Sequence, residues 1–113
     1  MNAKKRSKST KCNFVYVTTK NRTEALTIGK HLIESGLAAC VNIIPKMTSI
    51  YRWQNKLEKA QESILIIKST KANRQAILKS VKKLHSYSTP CILFLEISGG
   101  DRDYLTWLEQ SVR

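Results

Sequence analysis

The sequence predicts an α+β domain in which two strand–helix–strand units are joined by a long β-hairpin. Three observations predict it. Apolar, β-rich runs at residues 14–17, 64–67 and 92–97 are separated by two stretches of helical period. Between those two helical stretches, residues 37 to about 53, rich in Val, Ile, Thr and Tyr, are followed by a second β-rich stretch without an intervening helix. The resulting order, β-α-β-β-α-β with a further short helix, closes through right-handed crossovers into one antiparallel sheet. Both long helices then lie on one face, the ferredoxin-like split βαβ arrangement. At 113 residues the chain is long enough for one such core and too short for two.

The first strand is Phe14-Val15-Tyr16-Val17, ended by Thr18-Thr19. A helix follows, capped by Asn21 with Glu24 three residues on in the reciprocal capping position. Ala25, Ile28 and Leu32, with Leu26 and Ile33, form its apolar face, and Gly36 stands where a left-handed C-terminal residue is expected. Pro45 interrupts the next stretch and marks a bulge or an edge, because proline donates no ladder hydrogen bond. Gln54-Asn55-Lys56 is the hairpin turn, and the chain returns through residues 57–69. A second helix starts near Thr70 with Ile77, Val81 and Leu84 on one face, and stops in the loop leading to Pro90. The strand at 92–97 ends at Gly99-Gly100, and Asp101 caps a last short helix bearing Tyr104, Leu105, Trp107 and Leu108.

Composition excludes several classes. Residues 1–12 carry Lys4, Lys5, Arg6, Lys8 and Lys11 and no acid, and are read as a disordered basic tail ahead of a domain at 13–113. The net charge of +12 invites a polyanion, yet no aromatics interleave with the tail's charges. Residues 63–69, which would have to supply an RNA-binding strand, contain none either, so nucleic acid is not the expected partner. No apolar run approaches the roughly 20 residues of a membrane span, and no signal-peptide core follows the tail, so the expected location is the cytoplasm. Cys12, Cys40 and Cys91 are expected as reduced thiols, Cys40 as a small buried hydrophobe. Phosphate-loop, zinc-protease and nucleophile-elbow motifs are absent from the sequence, so a non-enzymatic role is expected.

The hairpin is too long for its domain. About sixteen residues per strand at roughly 3.3 Å each reach on the order of 50 Å, beyond what two helices of about fourteen residues can cover. Tyr51 and Trp53 share one face of the projecting part, and a lone subunit would leave both rings and a strand edge exposed. A homo-oligomer with Tyr51 and Trp53 at its interface is therefore expected.

Several segments, read together, resemble the CutA divalent-cation tolerance family. They are Leu37-Ala38-Ala39-Cys40-Val41-Asn42-Ile43-Ile44-Pro45, Thr48-Ser49-Ile50-Tyr51-Arg52-Trp53, Ile67-Lys68-Ser69-Thr70, His85-x-Tyr87-x-x-Pro90 and Asp103-Tyr104-Leu105-x-Trp107-Leu108. The resemblance implies a homotrimer, like the PII signalling proteins in assembly, and a link to copper and other divalent metals. Members with a proposed metal site carry a Cys and a His-His pair where this chain has Val17, Leu84 and His85, so one ligand of three remains. Cys91, just beyond Pro90, adds a soft thiolate near the imidazole, and His85 with Cys91 is the expected metal-binding pair. His31 is expected on the surface. Lys68, Tyr104 and Trp107 are candidates for a cleft that takes an anion or small molecule. The alternative reading is a PII-like scaffold or small-molecule sensor with only an indirect link to metal.

Overall fold

The computed structural model describes residues 10–113. The elements are β1 (Cys12–Thr19), α1 (Arg22–Glu34), β2 (Cys40–Trp53), β3 (Lys56–Thr70), α2 (Arg74–Leu84), β4 (Ile92–Glu96) and α3 (Arg102–Gln110), with a 3-10 turn, Lys71–Asn73, leading into α2. The sheet has the order β2-β3-β1-β4 with every pair antiparallel, the expected split βαβ topology. No helix among the described residues is long and apolar enough to cross a membrane.

Alternation along β1 and β3 explains the layering. Val15, Val17, Leu65 and Ile67 are fully buried and meet Ala25, Ile28 and Leu32 of α1 and Ile77 and Val81 of α2. Leu26, Ile33 and Leu84, assigned by spacing to the buried faces, lie exposed, because the sheet accepts only a narrow stripe of each helix. Asn21 Oδ1 accepts from the Glu24 N–H at 2.9 Å as expected. The reciprocal bond is displaced: the Glu24 carboxylate accepts from Lys20 N–H instead of from the cap residue itself. Gly36 has φ of 78°, and the Leu37 N–H reaches back to Leu32 O at 3.0 Å, closing α1 as a Schellman turn.

Strand β1 starts at Cys12, and Thr10 is tied to the domain ahead of it. Cys12 is fully buried at the start of β1, and Thr10 donates its hydroxyl to Ile97 O. The tail proper, residues 1–9, lies outside the described residues. Cys40 is only half-buried, so the small buried hydrophobe among the thiols is Cys12.

The hairpin projects, and the domain is 53 Å along its longest axis. Its turn is two residues long, with Gln54 at φ 48° and Asn55 at φ 67°, both left-handed as a tight hairpin requires. Ile44 pairs with Ile64 and Met47 with Glu62, so Pro45 and Lys46 together face the single residue Ser63. This is a β-bulge, with Lys46 at φ 62°, and it reverses the face to which every later residue of β2 points. Asn42 and Ile44 share the sheet face opposite α1 and α2 before the bulge. Met47, Ser49, Tyr51 and Trp53 share that face after it.

A left-handed backbone is tolerated by lysine, favoured by glycine and strained for a β-branched side chain. Lys46→Gly is expected to leave urea-unfolding stability unchanged or raise it, and Lys46→Val to lower it by about 1–2 kcal/mol. Equal stability of the two variants would remove the bulge from the account.

Candidate functional site

The bulge turns Tyr51 and Trp53 toward the same side as Thr18 of β1 and Glu62 of β3. The loop between α2 and β4 brings Tyr87, Ser88, Thr89 and Cys91 to this end of the sheet. Together these side chains line a cleft of about 440 Å³, within the size range of small-ligand sites. A smaller cavity of about 290 Å³ lies beside the start of α1, next to Lys20, Arg22, Lys46 and Glu62.

Three contacts hold the loop. His85 is buried where α2 ends, with Nε2 2.7 Å from Thr18 O and Nδ1 accepting from the Tyr87 N–H at 3.0 Å. A carbonyl can only accept and an N–H can only donate, so the proton sits on Nε2 and both ring nitrogens are engaged. The Tyr87 hydroxyl donates to Glu62 Oε2 at 2.8 Å. Glu24 closes the third contact, accepting from Lys20 N–H at 3.0 Å and from Ser86 N–H at 2.8 Å, one bond to each oxygen.

The same surroundings set the protonation of the site. Burial pushes the Tyr87 hydroxyl far up, and the hydrogen bond to Glu62 and its charge push it further, so Tyr87 stays a donor. Burial also raises the Cys91 thiol, and the Glu62 charge adds to that shift, outweighing a lowering contact with Thr18. For Glu24, burial works upward but the bonds from Lys20 and Ser86 prevail and hold the carboxyl below its ordinary value.

The sequence-derived candidates fall into three groups. His85 and Cys91 belong to one loop, but His85 supports the backbone while only Cys91 lines the cleft. Among the described residues no group of three or more His, Cys, Asp or Glu side chains could hold a metal ion, so this pair does not form a ready ligand set. Lys68, Tyr104 and Trp107 do come together: Lys68 Nζ lies 3.3 Å from the Tyr104 hydroxyl, and the two aromatic rings are 5.4 Å apart. They form an exposed stack where α3 crosses the sheet and line neither cavity. Tyr51 and Trp53 are half-exposed on the hairpin, and His31 is exposed on α1. Glu62 and Thr18 went unrecognised in the sequence, because each becomes part of a site only through strand pairing.

Comparison with known proteins agrees with this architecture. The sequence profile of the CutA1 divalent ion tolerance protein family matches residues 13–111. The chain belongs to that family. Relatives of the CutA family include the "Divalent-cation tolerance protein CutA" of Pectobacterium atrosepticum, 46% identical over 79% of this chain and 81% of the relative. The protein of the same description from Thermus thermophilus is 44% identical over 86% and 94%. A CutA1 structure from Oryza sativa superposes with a TM-score of 0.89 at 37% identity, covering 93% of this chain and 96% of that one. A CutA structure from Archaeoglobus fulgidus, described as periplasmic, gives 0.87 at 39%, over 90% and 99%.

The depressed Glu24 carboxyl has a stability consequence. A carboxyl whose folded value lies below the unfolded one stabilises the fold above the unfolded value, near 4.5, and loses that contribution as pH falls through the folded value. Glu24→Gln is expected to be less stable at neutral pH and to show a flatter decline on acidification. Urea unfolding of both proteins at matched concentration, across that acid range, checks it; parallel curves would count against the tether.

Proposed function

We propose that the protein serves divalent-cation tolerance as a homotrimer that is metal-responsive through the hairpin-side cleft, without a three-ligand metal site prebuilt at His85. The observation carrying this reading is that His85 spends both ring nitrogens on backbone groups. A metal ion at His85 would have to break one of those bonds in a buried setting, at a cost of about 1–3 kcal/mol. Copper or another soft ion would meet Cys91 first, and only after that thiol loses its proton.

The trimer rests on unpaired surface. The sheet face opposite α1 and α2 carries Ile44, Leu93 and Leu95, each about half exposed, beside the half-buried Tyr16, Ile64 and Ile66. The hairpin adds Ile50, Tyr51, Trp53 and Leu57. Such a surface is large for a monomer. Leu93 and Leu95 lie on the β4 edge and the hairpin on the β2 edge, and the two are chemically different, which favours head-to-tail contacts closing into a ring over a two-fold pair. A ring of three, like the PII proteins in assembly, would set Tyr51 and Trp53 at the seam between subunits.

We read the protein as a binding protein, not an enzyme, because the groups at the cleft are held in resting states. The Cys91 thiol is raised, away from nucleophilic use, and Tyr87 ties one oxygen of Glu62. Its three free cysteines suit a reducing compartment, which points to the cytoplasm.

Two measurements test this reading. Light scattering is expected to give a mass three times the 12.9 kDa of one chain. The Leu93→Glu, Leu95→Glu double variant is expected to fall to the monomer, and a wild-type monomer or dimer would overturn the trimer. Copper(I) titration without oxygen, against a competing chelator, is expected to show weak affinity that climbs as pH rises from about 6 to about 9. Cys91→Ser should weaken it and His85→Ala should not. Tight copper binding lost in His85→Ala would return the metal to the imidazole.

A further inference from the structure

The hairpin-side cleft has an unusual charge character for this chain. Twenty Lys and Arg residues outnumber eight acids in the sequence, yet among the described residues no Lys or Arg lines the cleft. Its single formal charge is the Glu62 carboxylate. Three of its walls are aromatic, from Tyr51, Trp53 and Tyr87, and the other lining groups are neutral hydroxyls and the protonated Cys91 thiol.

Aromatic faces carry negative quadrupole charge and attract cations, most strongly those that give up little hydration on leaving water. A divalent metal ion is the opposite case. It is strongly hydrated and needs several strong donor atoms at once, whereas this cleft offers one carboxylate. Glu62 is itself held in place: Oε2 accepts the Tyr87 hydroxyl, and among the described residues Oε1 has no partner of its own. That leaves an oriented anionic oxygen beside three rings, in a space of about 440 Å³.

We propose that this cleft binds a small organic ammonium ion, its cationic head lodged among Tyr51, Trp53 and Tyr87 with Glu62 as counter-charge. The proposal rests on the cleft being the responsive site and deepens that reading by naming the ligand class. In the trimer proposed above, this cleft with Tyr51 and Trp53 opens at the seam between subunits. Divalent-cation tolerance would then be linked to the binding of an organic cation at the cleft that also holds Cys91.

The test uses choline as the probe, titrated into the full-length protein by calorimetry and followed by tryptophan fluorescence. Dimethylbutanol, its uncharged carbon isostere, serves as the control. Saturable choline binding is expected, with the isostere weaker by about tenfold or more. Glu62→Gln and Trp53→Leu should each weaken choline by about tenfold, while Tyr51→Phe, which keeps the ring face, should retain it. Circular dichroism and native mass on every variant separate lost binding from lost folding. Equal affinity for choline and its isostere, or an unchanged affinity in Glu62→Gln, would make the cleft a plain apolar slot and overturn the proposal. A trimer that does not bind choline at millimolar concentration would overturn the ligand and leave the assembly standing. Choline binding by a monomer would do the reverse.

Discussion

One backbone irregularity decides where the chemistry of this molecule lies. A β-strand alternates its side chains with a period of two, so a single extra residue exchanges the two faces for everything beyond it. Pro45 and Lys46 supply that extra residue opposite Ser63. Proline has no N–H to lose from the ladder, and lysine can enter the left-handed region that the bulge requires. Were the ladder regular, Tyr51 and Trp53 would follow Ile43 onto the helix side of the sheet. With the bulge they stand on the open side with Thr18 and Glu62, and the cleft exists.

The cleft's other wall is a loop that has no regular structure to hold it. Its backbone polar groups must find partners individually. His85 ties the start of the loop to the end of β1, Glu24 ties Ser86 to the start of α1, and Tyr87 ties the cleft wall to Glu62 on β3. The tethers come from three different elements, and the one made by His85 satisfies a buried ring that would otherwise be costly to leave unpaired. The loop is thus a wall positioned by the whole domain. The histidine that looks most like a ligand has both ring nitrogens bonded to backbone groups, and the groups left facing the cleft are rings, hydroxyls, a thiol and one carboxylate.

The sheet's second face explains the composition of its central strands. Ile64-Leu65-Ile66-Ile67 is continuous and apolar, although only Leu65 and Ile67 are fully buried. Ile64 and Ile66 point to the side where α3 covers only one end, reaching the sheet near Cys12 and Lys68. Strands that read as unbroken apolar runs are normally covered on both faces. The uncovered part here is apolar surface, and the same face leads out along the hairpin to the cleft.

Much of this was legible in the residues themselves. Element order, the Asn21 and Asp101 caps, the Gly36 terminus, the Pro45 irregularity and the projecting hairpin all follow from local rules of backbone conformation and periodicity. The resemblance carried by segments spread from residue 37 to residue 108 placed the chain in its family. The site was legible only in part. Thr18 and His85 are 67 residues apart, and Glu62 and Tyr87 are 25 apart. Their meeting depends on strand register and on the direction in which one loop leaves one helix. Cys12 sits in a basic run and reads as tail until β1 is seen to pair with Thr70. Local sequence determines conformation within a turn or two of the chain, and so it determined the elements. Which side chains share a cleft is set by pairing between distant strands, and only the tertiary structure decided that.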